Sequence, residues 1–161
     1  MNVQRLDEHT IGLLDLNMVL CELLHQIVPS AEPGDDPAAN ARLFPSPTGG
    51  TEAEFDGEWR SYVEPGLREL FQSHLDIVKS DLSELPRGAS DELYSLRIPV
   101  AHLEHWIGAL NQARLALASR HDFGEKEMES SPPLNEARGL VLFQIHIYGL
   151  LLDWFLRELG Y

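Results

Sequence analysis

The sequence predicts an all-α protein, a compact helical bundle of about five helices. Three observations carry this expectation. Apolar residues recur at steps of three and four through long stretches of the chain. Prolines and glycines gather mainly between those stretches. With 161 residues and a hydrophobic fraction of 43%, the chain has the length and apolar content for one core, so residues 1–161 are read as a single domain.

The first apolar stretch runs from about Glu8 to Val28. Its polar residues Glu8, Asp15, Glu22 and Gln26 fall on one narrow stripe, and Leu13, Leu14, Leu16, Met18, Val19, Leu20, Leu23, Leu24 and Ile27 fill the rest. A helix apolar over most of its circumference is covered on most sides. Pro29 and Pro33 are expected to end it. Residues 29–51 then read as a mobile loop, relieved by a short helical turn over Pro37–Leu43 with Asp36 as its cap.

From Ala53 to Leu85 the apolar residues Phe55, Trp59, Tyr62, Val63, Leu67, Leu70, Phe71, Leu75, Val78 and Leu82 keep helical phase through Pro65. Proline removes one backbone hydrogen bond and clashes with the preceding turn, so this segment is either one helix kinked near Glu64 or two helices nearly in line. Alternation over residues 2–6 and 93–98 suggests a minimal two-stranded pairing. Pro99 suits the first turn of the next helix, which carries Val100, Leu103, Trp106, Ile107, Leu110 and Leu117 to about Arg120.

Residues 121–133 form a second linker expected to be mobile, and the last helix spans about Leu134 to Leu159. Its uncharged run from Gly139 to Leu152 would reach about 21 Å, short of the ~30 Å hydrocarbon layer of a bilayer. It therefore reads as a core helix, not a membrane span. The first and last helices are the expected hydrophobic centre of the bundle.

Twelve Lys and Arg against 26 Asp and Glu give a net charge of −14. Nucleic-acid binding needs a basic face that displaces counterions, and electrostatic membrane anchoring needs clustered cations, so both are excluded as expectations. One cysteine, Cys21, allows neither an internal disulfide nor a multi-cysteine zinc site. Acidic Asp7 and Glu8 precede the first apolar run, unlike a signal peptide, and a cytoplasmic location is the expectation.

Among possible chemical groups, Glu22 and His25 have the spacing used in di-iron bundles, but no second such pair occurs. His102 and His105, three apart on one helix, could chelate zinc if His146 supplied a third ligand. No nucleophile elbow, catalytic set or cofactor motif is present, and Cys21 sits among apolar residues that keep a thiol inert. Acidic residues between Ser30 and Glu58 outnumber the single Arg42, which suits either a solvated loop or a docking face for a basic partner. Arg114 continues the seam of Leu103, Ile107 and Leu110. Its spacing predicts a structural polar clasp in which Arg114 meets Asp153, helped by Asn111, with an Arg-lined pocket for a small anion as the alternative.

The run Trp106, Ile107, Ala109, Leu110, Asn111, Arg114, Leu115, Ala116, Leu117 resembles an uncharacterised bacterial family, the domain of unknown function numbered two thousand and seventeen. Arg5, Leu6, Leu13 and Leu14 are similar to the family's entry to its first helix. Ala41, Arg42, Leu43, Phe44 and Pro45 resemble its Arg-Leu-Leu-Pro loop, and Phe143, Ile145, Tyr148 and Asp153 its last helix. The chain departs from the family at its start, where members usually carry an extra strand pair, and in the tryptophan region of the last helix. The resemblance implies a shared helical fold and no established activity. It also implies an association with the Clp protease system, whose adaptor tends to be encoded near family members. The label of transcription regulator given to some members conflicts with the charge of this chain.

Two functional expectations follow. The first is a non-enzymatic helical interaction or adaptor-type protein that engages another protein and is itself a homodimer, pairing through the last helix together with the segment from Phe55 to Leu85. The alternative is a metal-binding bundle or metal-dependent enzyme built on His102 and His105.

Overall fold

The computed structural model describes residues 1–89 and 91–161. It is mostly helical, with a small antiparallel sheet in the order β1-β2-β3, formed by β1 (Asn2–Arg5), β2 (Thr10–Leu16) and β3 (Tyr94–Pro99). The sheet corrects two expectations. Thr10–Leu16 is the central strand and not the opening of a helix, and the predicted strands near residues 2–6 and 93–98 each pair with it instead of with one another.

The reason lies in one irregularity. Ile11 and Leu13 point into the core and are completely buried, as strand alternation requires. The register then slips between Leu13 and Leu16, where Asp15 takes a left-handed conformation (φ 55°), and Leu16 returns to the core. Inserting a residue breaks the period of two and leaves apolar spacings that mimic a helix. A third strand also gives the sheet a buried face that two strands could not secure.

Asn17 starts the helical part: its side chain accepts the Leu20 amide at 3.0 Å and opens α1 (Met18–His25). The chain bends at Gln26 into α2 (Ile27–Ala31). Pro29 does not end the helix, because it falls in the first turn of α2, where its missing N–H is not needed. Much of the expected loop over residues 29–51 is ordered. Asp36 caps α3 (Pro37–Leu43) as predicted, accepting the Ala39 amide at 2.7 Å. The buried carboxylate of Asp56 then accepts the Ser46 and Thr48 hydroxyls at 2.5 and 2.8 Å, fastening the rest of the loop. The Ser46 bond, with that of Thr48, holds Asp56 below the usual carboxylate range against the opposing effect of burial.

The segment after the loop is two helices, α4 (Ala53–Tyr62) and α5 (Glu64–Leu82), broken at Val63, with Pro65 in the first turn of α5. Beyond β3, a 3-10 turn over Val100–His102 leads into α6 (Leu103–Arg120). The second linker contains the one-turn helix α7 (Glu125–Met128), and the chain ends with α8 (Ala137–Glu158). Five helices was too few, because the first helix and both linkers are more finely divided than the apolar pattern shows.

The centre of the molecule is α6, not the terminal segments. Leu103, Trp106, Ala109, Leu110, Ala113 and Ala116 are completely buried, and α2, α3, α5 and α8 all pack on this helix. Its alanines let neighbours approach closely, yet they contribute little to an apolar periodicity. On α8, Leu142, Ile145, Tyr148, Leu151 and Phe155 face inward. Phe155 meets the Trp106 indole edge-on, with ring centres 6.0 Å apart. Tyr148 donates its hydroxyl to the Leu23 carbonyl at 2.6 Å and so ties α8 to α1.

The strand assignment makes distinct claims about neighbouring residues. Ile11→Ala and Leu13→Ala should each lower unfolding stability by about 2–5 kcal/mol through lost burial and a cavity. Asp15→Gly should leave stability unchanged or raise it by up to about 1 kcal/mol, since glycine adopts a positive φ freely. Urea titration of the variants measures all three.

Candidate functional site

A row of half-buried polar side chains lies along the seam between α5 and α6. Asp81, on the last turn of α5, accepts the Trp106 indole N–H at 2.8 Å and the His102 Nδ1–H at 3.0 Å. His102 stands immediately before α6 and Trp106 in its first turn, so one carboxylate stitches the two helices together. One face of α5 continues through Val78 to His74, whose Nδ1 lies 3.1 Å from Nδ1 of His105. One ring must donate and the other accept, so this pair cannot hold protons on both facing nitrogens. Gly108 makes room for the contact: a Cβ there would stand 2.5 Å from the His74 ring.

His74 is held below the ordinary histidine range, first by burial and then by neighbouring His105, with Glu104 opposing. The folded protein therefore prefers neutral His74, and the unfolded chain takes up the proton more readily. This contribution to stability is complete above the ordinary value of 6.5 and is lost as the pH falls below it.

The metal candidates do not converge. His102 is committed to Asp81 and His105 to His74, while His146 on α8 bonds the Met128 carbonyl at 2.8 Å. His25 bonds the Pro86 carbonyl at 3.3 Å, and Glu22 accepts from Gln26, so the Glu-x-x-His pair is also dispersed. Among the described residues, no group of three His, Cys, Asp or Glu side chains could hold a metal ion. Cys21 is completely buried, and burial pushes its thiol up. His74 and Asp81 were the partners missed in the sequence. Their positions with Val78, at steps of four and three on one face of α5, were the available signal.

The predicted clasp does not form. Asp153 is exposed and pairs along its own helix with Arg157 at 2.6 Å, while Asn111 is exposed. Arg114 does reach the α6–α8 seam, where Gly149 leaves space for it: its Nε is 3.4 Å from where a Cβ of residue 149 would lie. That Nε is buried with no acceptor, and burial pulls the guanidinium down.

Two apolar surfaces remain uncovered. On α8, exposed Leu140 and Leu150 and half-buried Phe143, Ile147 and Trp154 follow at steps of three and four along the flank of the helix, Ile147 and Trp154 also packing on the core. Leu140 is 52% and Leu150 64% exposed. By length and composition α8 could cross a membrane, and only 33% of its most apolar window is buried. The second surface is α4 with the start of α5, where Phe55, Tyr62, Val63 and Leu70 are exposed and α4 packs chiefly on α5.

The profile of the family described as Domain of unknown function (DUF2017) matches residues 4–159. The chain belongs to that family. The match spans the sheet from Gln4 onward, the α5–α6 seam and all of α8. No curated protein and no solved structure matches the chain.

Two outcomes follow from this geometry. Between about pH 7.5 and about pH 5.5 the thermal midpoint should fall, and His74→Gln should flatten that slope. Arg114→Met should leave unfolding stability within about 1 kcal/mol of the parent or raise it, because no buried acid is stranded by the change.

Proposed function

We propose that this member of the family is a non-enzymatic helical interaction protein of the cytoplasm that forms a homodimer through α8. The observation that carries this reading is the α8 stripe, a row of large apolar side chains at helical spacing on a helix with no charge between Arg138 and Asp153. In a chain of net charge −14, that is the face where two copies meet with least like-charge repulsion. A two-fold axis would set Leu140, Phe143, Ile147 and Leu150 against their own symmetry mates, a self-complementary arrangement.

The exposed side chains of α4 and early α5 are left for a different protein. Exposed acidic residues Glu52, Glu54 and Glu58 accompany Phe55 on or beside α4, which favours an apolar partner surface bordered by basic groups. Components of the Clp protease system, which the family resemblance implies only through gene neighbourhood, are the first partners to test. The metal-dependent alternative gains no support from side chains that bond elsewhere.

Sedimentation of the full chain at tens of micromolar tests the pairing. The parent should run as a dimer, and Leu150→Glu should run as a monomer with unchanged helical circular dichroism. A monomeric parent would refute the role given to α8.

A further inference from the structure

A cavity of about 410 Å³ opens between α3, α6 and the second linker, lined in part by Arg42, Arg114, Ser119 and Phe123. Arg114 enters it half-buried, and among the described residues neither it nor Arg42 has an ion-pair or hydrogen-bond partner. The other guanidinium groups of this acidic chain are either paired or exposed to solvent, as Arg60, Arg87 and Arg97 are. Arg5, Arg138 and Arg157 pair with carboxylates, and Arg120 donates to the Ser30 and Glu32 carbonyls. Carboxylates outnumber cations by more than two to one, yet none closes on Arg114. A guanidinium that is partly desolvated and unpaired costs stability, and an incoming anion would recover that cost.

We propose that this cavity binds the carboxylate of a small apolar ligand, held between Arg114 and Arg42. The planar fork of arginine matches a carboxylate, and Ser119 adds a hydroxyl donor. Leu115, Ala118, Phe123 and Met128 supply the apolar wall for the ligand's body. Asp122 and Glu125 share the lining and set the charge limit. They repel a multiply charged anion such as phosphate more strongly than a monocarboxylate. Arg138, stacked 4.2 Å over the Phe123 ring and bound to Glu127, holds the linker wall in place. Such a carboxylate could belong to a free branched acid or to the C-terminus of a peptide, and the chemistry recognised is the same. This inference does not depend on pairing through α8.

NMR titration of the isotope-labelled full chain tests it, with isovalerate, isovaleramide, inorganic phosphate and a tripeptide ending in leucine as probes. Isovalerate should shift the Arg114 Nε–H and the Leu115, Ser119 and Phe123 amides saturably, while isovaleramide should bind at least about tenfold more weakly. Arg114→Gln should weaken isovalerate by about tenfold or more. Arg42→Gln, at an exposed position that cannot threaten the fold, should weaken it several-fold. Tighter binding of the free-carboxyl tripeptide than of isovalerate would assign the site to chain termini, and the reverse order to small acids. Either result supports the proposal. Absence of saturable shifts, equal binding of the amide, phosphate binding more tightly than isovalerate, or indifference to both arginine substitutions would overturn it.

Discussion

The fold is organised around the buried half of α6. Leu103, Trp106, Leu110 and three small alanines make one broad side of this helix apolar, while Glu104 and Asn111 face water on the other, so its neighbours must enclose that apolar side. The alanines set the distances: Ala109, Ala113 and Ala116 bring backbones close enough for the short helices α2 and α3 to act as walls. Asp81 then fixes the angle and register of α5 by holding two donors from one end of α6. Losing that carboxylate would strand a buried indole N–H, so the seam is specified by polar chemistry as much as by apolar area.

The long helices were legible because their signals are local. Pro65 marks the start of α5, Asp36 caps α3, and the steps of three and four persist through α5 and α8. Pro99, expected in the first turn of the next helix, instead closes β3 ahead of the 3-10 turn. β2 was not legible, because Leu14 is half-exposed on the opposite face and Asp15 interrupts the alternation where Leu16 turns back inward. The central role of α6 was hidden for another reason: alanine fills an interface without registering as strongly apolar. At the site, the spacing correctly brought Arg114 to the α6–α8 seam but assigned it the wrong companion. Asp153 and Arg157 satisfy each other within one helix turn, a local solution that competes with any longer reach. His74 and Asp81 act across two helices, and such a relation depends on how those helices are set together.

The distribution of charge and apolar surface divides the molecule into regions with different physical tasks. Acidic groups cover the loop and α4, where they favour solvation and repel copies of the chain. The α8 stripe is free of charge along its middle, so its behaviour is governed by apolar area and little by salt. The arginine-lined cavity lies at the boundary with the second linker, where the wall formed by Phe123 and Arg138 depends on contacts to Glu127. Raising ionic strength would therefore weaken the fastening of that wall while leaving the core and the stripe largely intact.

The position of β2 between β1 and β3 also constrains how the chain is made. Ile11 is paired with Ile98, so more than half of the polypeptide must leave the ribosome before the sheet can be completed. Until then β1 and β2 form at best a two-stranded hairpin, which has too little buried surface to persist alone. Its inward residues, Ile11 and Leu13, must wait for α6 as well, since that helix follows β3 almost directly. The N-terminus is thus synthesised first and secured late, because closing so long a loop makes completion of the sheet a non-local step. A nascent chain stalled before β3 would present an open strand edge, the kind of surface that chaperones shield and that other chains can extend.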